Sequence, residues 1–194
     1  MALSKGEQTR EHITQKTRAL LVTKGFHNTS IAEILAATGV KKGNLYYHFA
    51  SKEDLGLAVL EDAKEEFFIF LEKSFQGSDP IAKVINSCES IFKEQKKRNF
   101  VGGCLFGNTA LEMSDCNEKF AEIIRDIFST WTNRLTDYLV EARHLGLLGG
   151  TIPERLLAKT IVATIEGGIM MSRVSKAGQD LKDCLAALKA ILGK

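Results

Sequence analysis

The sequence predicts an all-α protein made of a helix-turn-helix unit and a helical bundle. Apolar residues recur at steps of three and four along most of the chain, only two prolines interrupt it, and runs of alternating β-branched residues are few. A composition that is 44% hydrophobic and 26% charged is typical of a globular protein with a sizeable core. We therefore expect about nine helices, three of them in the N-terminal helix-turn-helix unit.

The first two helices are predicted from their ends. The first spans about Glu7 to Lys24, and Gly25 ends it because glycine tolerates the left-handed backbone found after helices. The second is short. Ser30 and Glu33 have the spacing of a capping box that opens it, and Gly39 ends it.

The third helix is the segment Lys42–Phe49, with the sequence KGNLYYHF. Leu45 and Phe49 are four residues apart and share one helical face, while the polar residues spread over the rest. Such a helix lies on a core and presents a wide hydrogen-bonding surface. Two short helices joined by a turn that contains glycine, after a longer helix, indicate a helix-turn-helix. The alternative for this segment alone is a solvated surface helix.

The remaining helices form the predicted second domain. Ser51 and Asp54 resemble a capping box that opens a long helix to about Gln76. Further helices are predicted from Pro80 to Lys96-Lys97-Arg98, from Gly102-Gly103 through Leu111, from a cap formed by Asp115 and Glu118 to His144, from Pro153, and from about Gln179. We place a helix-turn-helix DNA-binding domain at residues 1–50 and an effector-binding and dimerisation domain at residues 51–194.

The positive charge is concentrated at the N-terminus. The whole chain has a net charge of only +2. Residues 1–52 contain eight Lys and Arg against three Glu, a net charge of +5, so the remainder has a net charge of −3. A positive N-terminal quarter is typical of a segment that binds nucleic acid.

Other classes of protein are disfavoured. No apolar run approaches the roughly 18 residues that span a bilayer, and the N-terminus lacks an apolar signal core. The four cysteines form no C-x-x-C pair, and the four histidines lack metal-ligand spacing. We expect a cytoplasmic protein with free thiols, no metal, no cofactor and no contact with a membrane.

In a helix-turn-helix the second helix enters the major groove, and its neighbours contact the phosphates. Lys42 and Lys52 bracket the candidate recognition helix. Tyr47 and His48 have hydroxyl and ring N–H donors for phosphate, and Gly43 permits close approach of the backbone. These residues are expected to position the protein on double-stranded DNA.

Two further groups complete the predicted DNA surface. The N–H groups around Ser30 and Ile31 open a helix, where an anion is favoured. Because most other contacts go to phosphates, sequence selection is expected to depend on few groups, namely Lys42, Asn44 and Tyr46.

The same residues resemble the DNA-binding signature of the TetR/AcrR repressors. The matching segments are Thr29-Ser30-Ile31-Ala32, Thr38-Gly39-Val40, Lys42–Phe49 and Ser51-Lys52-Glu53-Asp54-Leu55, about fifty residues in all. The resemblance implies a homodimer whose divergent C-terminal domain binds a small-molecule inducer and then releases the DNA. It also implies DNA contacts at Lys42, Gly43, Tyr46, Tyr47, His48 and Lys52, and near Ser30 and Ile31. Tyr46 is either such a contact or part of the domain core.

A dimer is also expected on geometric grounds. One short recognition helix reads few bases, so repressors pair across two major grooves about 34 Å apart, usually on a palindromic operator. The helices at about Glu154–Ser172 and Gln179–Leu192 are the candidates for a four-helix interface. Their small residues are Ala158, Ala163, Gly167, Gly168, Ala186 and Ala187. Alternatively, these small residues serve packing within one subunit.

The effector site is less well defined by the sequence. Phe67, Phe106, Trp131 and Met170 are candidates to line an apolar ligand cavity, although most such residues belong simply to a core.

A cysteine offers a second way to sense a signal. Gly102-Gly103-Cys104-Leu105, followed by Glu112 and Cys116, resembles a segment of the N-ethylmaleimide reductase repressor within the TetR/AcrR family. The resemblance implies that the Cys104 thiol senses electrophiles or oxidants, with Arg173 at about the place of an assisting basic residue. The alternative is a buried cysteine that behaves as a small apolar residue.

Enzymes and scaffolds are the rival classes. Gly102 to Gly107 has the spacing of a phosphate loop, but Asn108-Thr109 follows instead of Lys and Ser or Thr, and no G-x-S-x-G occurs. We therefore expect no catalytic activity. The remaining alternative is a dimeric helical scaffold that keeps the helix-turn-helix only for structure, which salt-dependent binding to duplex DNA would distinguish from a regulator.

Overall fold

The computed structural model describes residues 4–193, which form nine α-helices and contain no β-strand. The helices are α1 (Lys5–Lys24), α2 (Ile31–Thr38), α3 (Lys42–His48), α4 (Lys52–Ser74), α5 (Pro80–Lys97), α6 (Leu105–Met113), α7 (Glu118–His144), α8 (Glu154–Ser175) and α9 (Gln179–Ile191). The predicted all-α class and helix number are confirmed. In this range no helix has both the length and the apolar composition required to cross a membrane.

The backbone separates into two compact units. The first contains the chain up to Glu66 together with Leu105–Ile124, and the second contains Phe67–Cys104 together with the chain from Arg125 onward. Helix α6 therefore belongs to the same unit as the three N-terminal helices. The domain boundary at residue 50 stays a prediction.

Capping boxes open the first two helices. In α2 the Ser30 hydroxyl accepts the Glu33 N–H at 3.2 Å, and the Glu33 carboxylate accepts the Ser30 N–H at 2.8 Å. This is the predicted box. A second box, formed by Ser4 and Glu7, opens α1, which is why that helix begins at Lys5 and not at Glu7 as predicted.

Of the N-caps predicted for α4 and α7, one is confirmed and the other is wrong. Ser51 accepts an N–H from the first turn of α4 at 3.0 Å, as predicted. The prediction that Asp115 caps α7 is wrong, because the Asn117 side-chain oxygen accepts the Lys119 N–H at 3.1 Å instead. The reason lies in α6: the Asn117 N–H still bonds to the Met113 carbonyl at 2.9 Å, so the intervening residues continue the turn that ends α6.

Glycines with positive φ end α1 and α2, as predicted. Gly25 has a φ of +84° and donates its N–H to the Leu21 carbonyl at 2.9 Å. Gly39 has a φ of +70° and bonds in the same way to Leu35 at 2.9 Å. Residues with a Cβ are strained in this conformation, so both positions favour glycine. Phe26, directly after the first stop, is buried.

The first unit has a core shared by its N-terminal helices and by residues from α4 and α7. The Phe26 and Phe120 rings meet edge-on with their centroids 5.1 Å apart. Gly56 makes room for them, since a Cβ on this residue would lie 2.6 Å from the Phe26 ring. The other fully buried side chains of the first unit include Ile13, Ile34, Leu45, Leu55 and Leu60.

The second unit has its own core, to which α5, α7, α8 and α9 contribute. Its fully buried residues include Leu135, Leu139, Ile161, Ile165 and Leu181. α8 and α9 approach closely at Gly168, where a Cβ would lie 2.7 Å from Leu181 Cδ1 and 3.0 Å from Cys184 Sγ. The small size of Gly168 is therefore required by packing within the subunit.

Candidate nucleic-acid interface and effector site

Helix α3 is attached to the first unit by two apolar side chains. Leu45 is 1% exposed and Phe49 is 3% exposed. Burying two such side chains stabilises the folded state by roughly 1.5–3 kcal/mol each. The tyrosines between them are outside the core, with Tyr47 82% exposed and Tyr46 41% exposed. The helix therefore has one buried face and one face available to a partner.

The available face is continuous with the first turn of α3. Lys42, Gly43 and Asn44 are all exposed, and a Cβ placed on Gly43 would meet no atom within 4 Å. The Lys42 ammonium lies 6.0 Å from the centre of the Tyr46 ring, which is outside the core and leaves this tyrosine able to reach a partner. We call these three residues, with Tyr46 and Tyr47, the α3 surface.

Two side chains of α1 hold the C-terminal ends of the two short helices. Arg10 Nη1 donates to the His48 carbonyl at 2.8 Å, and its guanidinium lies 4.3 Å from the centre of the Phe49 ring. His12 Nε2 lies 2.9 Å from the Thr38 carbonyl oxygen. A cation is favoured at a helix C-terminus, where carbonyl groups lack partners. Sequence reasoning missed both residues because their partners are 38 and 26 positions away.

The N-terminus of α2, predicted to favour an anion, already has a carboxylate beside it. The hydrogen bond from Lys24, followed by those from the Ser30 N–H and hydroxyl, lowers the pKa of Glu33 to about 2, so this carboxyl is ionised at neutral pH. Lys24 offsets its charge. A phosphate that approaches the Ile31 N–H would therefore meet a helix end whose capping carboxylate is neutralised by a lysine.

Lys52 lies at the first position of α4. Its ammonium is 4.5 Å from the centre of the Phe26 ring, a cation–π contact worth roughly 0.5–1 kcal/mol at an exposed site. The contact between Lys52 and a phosphate stays a prediction.

The residues predicted to bind an effector differ in burial and are divided between the two units. Trp131 is buried, and its ring meets that of the half-buried Phe67 edge-on at 5.4 Å. The Trp131 indole N–H is buried without a hydrogen-bond partner in residues 4–193. Phe106 is buried in the first unit, Met170 is 58% exposed on α8, and Arg173 is half-buried in the last turn of α8.

Cys104 lies in a group of polar side chains from α8, from the last turn of α5 and from Arg98, the residue that follows α5. The half-buried Cys104 thiol donates a hydrogen bond to the Glu166 carboxyl. Burial raises the pKa of Glu166 to about 7, and the hydrogen bond from the thiol opposes that rise. Gln95 and Arg98 each donate to the Gly103 carbonyl at 3.4 Å. We call Cys104, Glu166, Gln95 and Arg98 the Cys104 site.

Sequence reasoning missed three of these four residues. Glu166 gives the clearest signal, because it is a carboxylate between apolar neighbours on a helix that is otherwise buried along this side. Gln95 and Arg98 give none, since they lie in the polar last turn of α5 and directly after it, and they reach the loop only in the folded chain. The role predicted for Arg173, a basic residue that assists Cys104, stays a prediction.

The other three cysteines differ from Cys104 in their surroundings. None of the four forms a disulfide in residues 4–193. Cys88 is buried, and burial raises the pKa of its thiol to about 12. Burial, followed by two nearby aspartates, also raises the pKa of Cys184. Cys116 is exposed.

Two grooves on the second unit combine apolar and cationic side chains. One, of about 510 Å³, lies between α7 and α8 and includes Phe128, Val162, Arg125, Arg155, Lys159 and Glu166. The other, of about 460 Å³, lies between α5 and α9 and includes Phe92, Leu185, Lys93, Lys96, Lys182 and Lys189. Each groove also contains a carboxylate, which is Glu166 in the first and Glu89, paired with Lys189 at 2.6 Å, in the second.

Two family models match the chain. The one described as bacterial regulatory proteins of the tetR family covers residues 13–59. The one described as the LmrA/YxaF-like C-terminal domain of transcriptional regulators covers residues 80–187. The first therefore contains the whole α3 surface, and the second contains the whole Cys104 site.

Individual proteins are similar over nearly the whole chain. The HTH-type transcriptional repressor DhaR of Mycobacterium sp. (strain GP1) is 25% identical over 92% of this chain and 89% of its own. The HTH-type transcriptional repressor NemR of Escherichia coli (strain K12) is 23% identical over 95% of this chain and 94% of its own. A crystal structure of a TetR transcriptional regulator from Chloroflexus aurantiacus J-10-FL is similar with a TM-score of 0.91 and 28% sequence identity. The match covers 99% of this chain and 98% of that one. The chain therefore belongs to the TetR family of DNA-binding transcriptional regulators, as its N-terminal signature predicts.

Proposed function

We propose that the protein is a repressor that binds a palindromic operator as a homodimer, with α3 of each subunit in the major groove. It leaves the operator when a small molecule binds the second unit or when Cys104 is modified. Repression is supported by the similarity to DhaR and NemR, both described as repressors. The cytoplasm is the corresponding location.

The α3 surface is the observation that carries this proposal. Two buried side chains fix the helix, while Tyr47 is 82% exposed and nothing in the subunit fills the space beside Gly43. The helix has seven residues and a length of about 10 Å, so it contacts few bases. A dimer with two such helices doubles the sequence that is read.

Tyr47 tests the DNA contact. We expect Tyr47→Ala to weaken binding to a duplex enriched from a random library by about tenfold, which corresponds to about 1.4 kcal/mol. Its helicity should not change, because the side chain lies outside the core. Leu111→Ala is the matched control, since Leu111 is 86% exposed in the first unit but far along the chain from α3. Equal affinity of both variants, or loss of helicity in Tyr47→Ala, would contradict the assignment.

An exposed apolar stripe on α8 supports dimerisation. Leu156 is 55% exposed, Met170 58% and Val174 82%, and their spacing places all three on one helical face with the exposed Ala163. A stripe of this kind on a helix is typical of a surface that another chain covers. It is separate from the buried side of α8.

Gly167 and Gly168 have different surroundings within the subunit. A Cβ on Gly168 would collide with Leu181, whereas a Cβ on Gly167 would meet nothing within 4 Å. Packing within the subunit therefore explains Gly168 but not Gly167. Gly167 shares the face of Ala163 and Met170, where close approach of a second subunit would require a small residue.

Sedimentation tests the dimer. Met170→Glu places a charge on the stripe and should convert a micromolar dimer into a monomer. Ile69→Glu is the matched control, because Ile69 is 56% exposed in the second unit on α4, outside the proposed interface. A wild-type monomer at micromolar concentration would contradict the two-groove mechanism.

Helix α6 supports a route from Cys104 to the DNA-binding helices. It begins at Leu105, the residue after Cys104. Near its other end the Glu112 carboxylate accepts the His27 N–H at 3.0 Å, and the His27 ring nitrogen lies 3.2 Å from the Glu112 carbonyl oxygen. A change at Cys104 that shifts α6 would therefore reach the turn between α1 and α2.

A further inference from the structure

We propose that the groove between α5 and α9 binds a small anion with an apolar chain, whose charged head lies beside Lys96 and Lys182. All of the residues that line this groove belong to the second unit. The proposal names a ligand class for that unit, and it rests on the proposed function only for the consequence of binding, the release of DNA. Binding itself is measured without DNA.

The charges that line the groove are unbalanced. Four lysines and one glutamate contribute to its described lining. The glutamate, Glu89, is paired with Lys189 at 2.6 Å. Lys93, Lys96 and Lys182 therefore have no carboxylate of their own among the residues that line the groove. An anion bound there would be attracted by three ammonium groups.

Two carboxylates near the groove in the sequence have other partners. Glu94 on α5 accepts a hydrogen bond from Lys97 at 2.6 Å. Asp183 on α9 accepts a hydrogen bond from the Gln179 side chain at 2.8 Å. Neither carboxylate lines the groove. The excess of positive charge in the groove is therefore not offset by direct contact with either of them.

The two ends of the groove differ because α5 and α9 run antiparallel. The pair of Glu89 and Lys189 joins the middle of α5 to the end of α9. Phe92 lies instead near the start of α9, because a Cβ on Gly178, the residue before that helix, would be 3.3 Å from the Phe92 ring. Lys96 is about one turn further along α5. The lysines without a carboxylate partner therefore extend toward the end opposite the ion pair, where the anionic head would bind.

The floor of the groove is apolar. Phe92 is half-buried and Leu185 is 8% exposed, while Ala186 leaves space because its side chain is a single methyl group. The Phe100 ring packs against that of Phe92, with the centroids 6.1 Å apart, and supports it from one side. An apolar chain lying on this floor would remove its own surface and that of these side chains from water.

The size of the groove limits the ligand to one short chain. Lys182 and Lys189 are two helical turns apart on α9, or about 10 Å. The groove has a volume of about 460 Å³, within the range of small-molecule sites. We therefore choose octanoate as the probe. Its carboxylate would lie beside Lys96 and Lys182, and its chain would lie along the apolar floor.

The groove stays accessible in the proposed dimer. Lys182, Ala186 and Lys189 share one face of α9, since they are spaced by four and three residues. Cys184 is on the opposite face, where its Sγ would lie 3.0 Å from a Cβ on Gly168 of α8. The groove is therefore on the side of α9 turned away from α8, which carries the stripe proposed for dimerisation. Octanoate should bind without competing with the second subunit.

Isothermal titration calorimetry with the full chain measures binding of the probe. We expect saturable binding of octanoate with one site per subunit. Acetate has the head without the chain, and octyltrimethylammonium has the chain with the opposite charge, so both should bind much more weakly. Absence of saturable octanoate binding, or equal binding of all three compounds, would overturn the proposal.

Two substitutions locate the site. Lys182→Gln removes one ammonium group and should weaken octanoate binding by about fivefold. Ala186→Phe fills the space above the floor and should weaken it by about tenfold or more. Lys73→Gln is the matched control, because Lys73 is exposed on α4 in the second unit and does not line the groove. Circular dichroism establishes that each variant is folded.

Unchanged octanoate affinity in both groove variants would show that the probe binds elsewhere and would overturn the assignment. If octanoate binds through the groove but the affinity for DNA is unchanged, the site stands and its link to DNA release fails. Failure of the protein to bind any duplex would contradict the proposed function and would leave the calorimetric result as it is.

Discussion

Gly43→Ala separates stability from DNA binding because the two should change in opposite directions. Gly43 is the second residue of α3, its φ is not in the positive region, and an added Cβ would meet no atom within 4 Å. The folded subunit therefore accepts alanine at this position without a clash. Glycine is less favourable than alanine in a helix, so the substitution should raise the unfolding free energy by roughly 0.5 kcal/mol.

The same methyl group should weaken binding to DNA. If the α3 backbone approaches a phosphate at Gly43, the Cβ occupies the space that the phosphate needs. We expect the dissociation constant to rise by about tenfold, or about 1.4 kcal/mol, measured by fluorescence anisotropy with the enriched duplex. Thermal unfolding of the same sample should show a midpoint raised by about 1–2 °C.

Gly6→Ala is the matched control. Gly6 is likewise the second residue of its helix, and a Cβ there also meets no atom within 4 Å. This variant should gain similar stability and keep the wild-type affinity for DNA. If Gly43→Ala also keeps the wild-type affinity, the backbone of α3 does not approach DNA at this position and the docking we describe is wrong.

Three further substitutions test the first unit. Gly25→Ala should lower the unfolding free energy in urea by about 2 kcal/mol or more, because it combines a φ of +84° with a Cβ only 2.1 Å from a Glu112 carboxylate oxygen; unchanged stability would refute this packing. Glu33 has a folded-state pKa of about 2 against an ordinary 4.5, so its contribution is present above about pH 4.5 and is lost toward pH 2. Glu33→Gln should therefore flatten the dependence of the melting temperature on pH in this range, and parallel curves would argue against it. Arg10→Met removes the bond to the His48 carbonyl and should cost about 1 kcal/mol of stability while loosening α3, whereas unaltered urea unfolding would show that Arg10 does not hold this helix.

Features that depend on neighbouring residues could be predicted from the sequence. The capping box of α2 uses Ser30 and Glu33, only three positions apart, so their spacing alone indicates the bond. The end of α2 at Gly39 likewise depends only on residues close to it in the sequence. The α7 cap could not be predicted in this way, because Asp115 and Asn117 are both suitable types and the choice depends on how far the turn after α6 continues.

The two sides of α3 could also be predicted, since the spacing of Leu45 and Phe49 assigns the buried face. The side chain that holds the C-terminal end of α3 could not be predicted from the sequence. Arg10 lies off the apolar face of α1, and nothing in its neighbours indicates that it caps a helix 38 residues away. Glu166 and Cys104 likewise become partners only through packing of the second unit. Gly167 and Gly168 are indistinguishable in sequence and differ only in what surrounds them.

The central claim is that a dimer reads duplex DNA through two copies of α3. The most direct measurement is the affinity for the enriched duplex as a function of salt concentration, with the stoichiometry determined at saturation. We predict two subunits on a palindrome whose half-site centres are separated by whole turns of about 10.5 base pairs. The logarithm of the affinity should fall linearly with the logarithm of the salt concentration, because bound phosphates release counterions. A failure to enrich any palindrome, or an affinity independent of salt, would contradict the claim and favour a helical scaffold that keeps the helix-turn-helix only for structure.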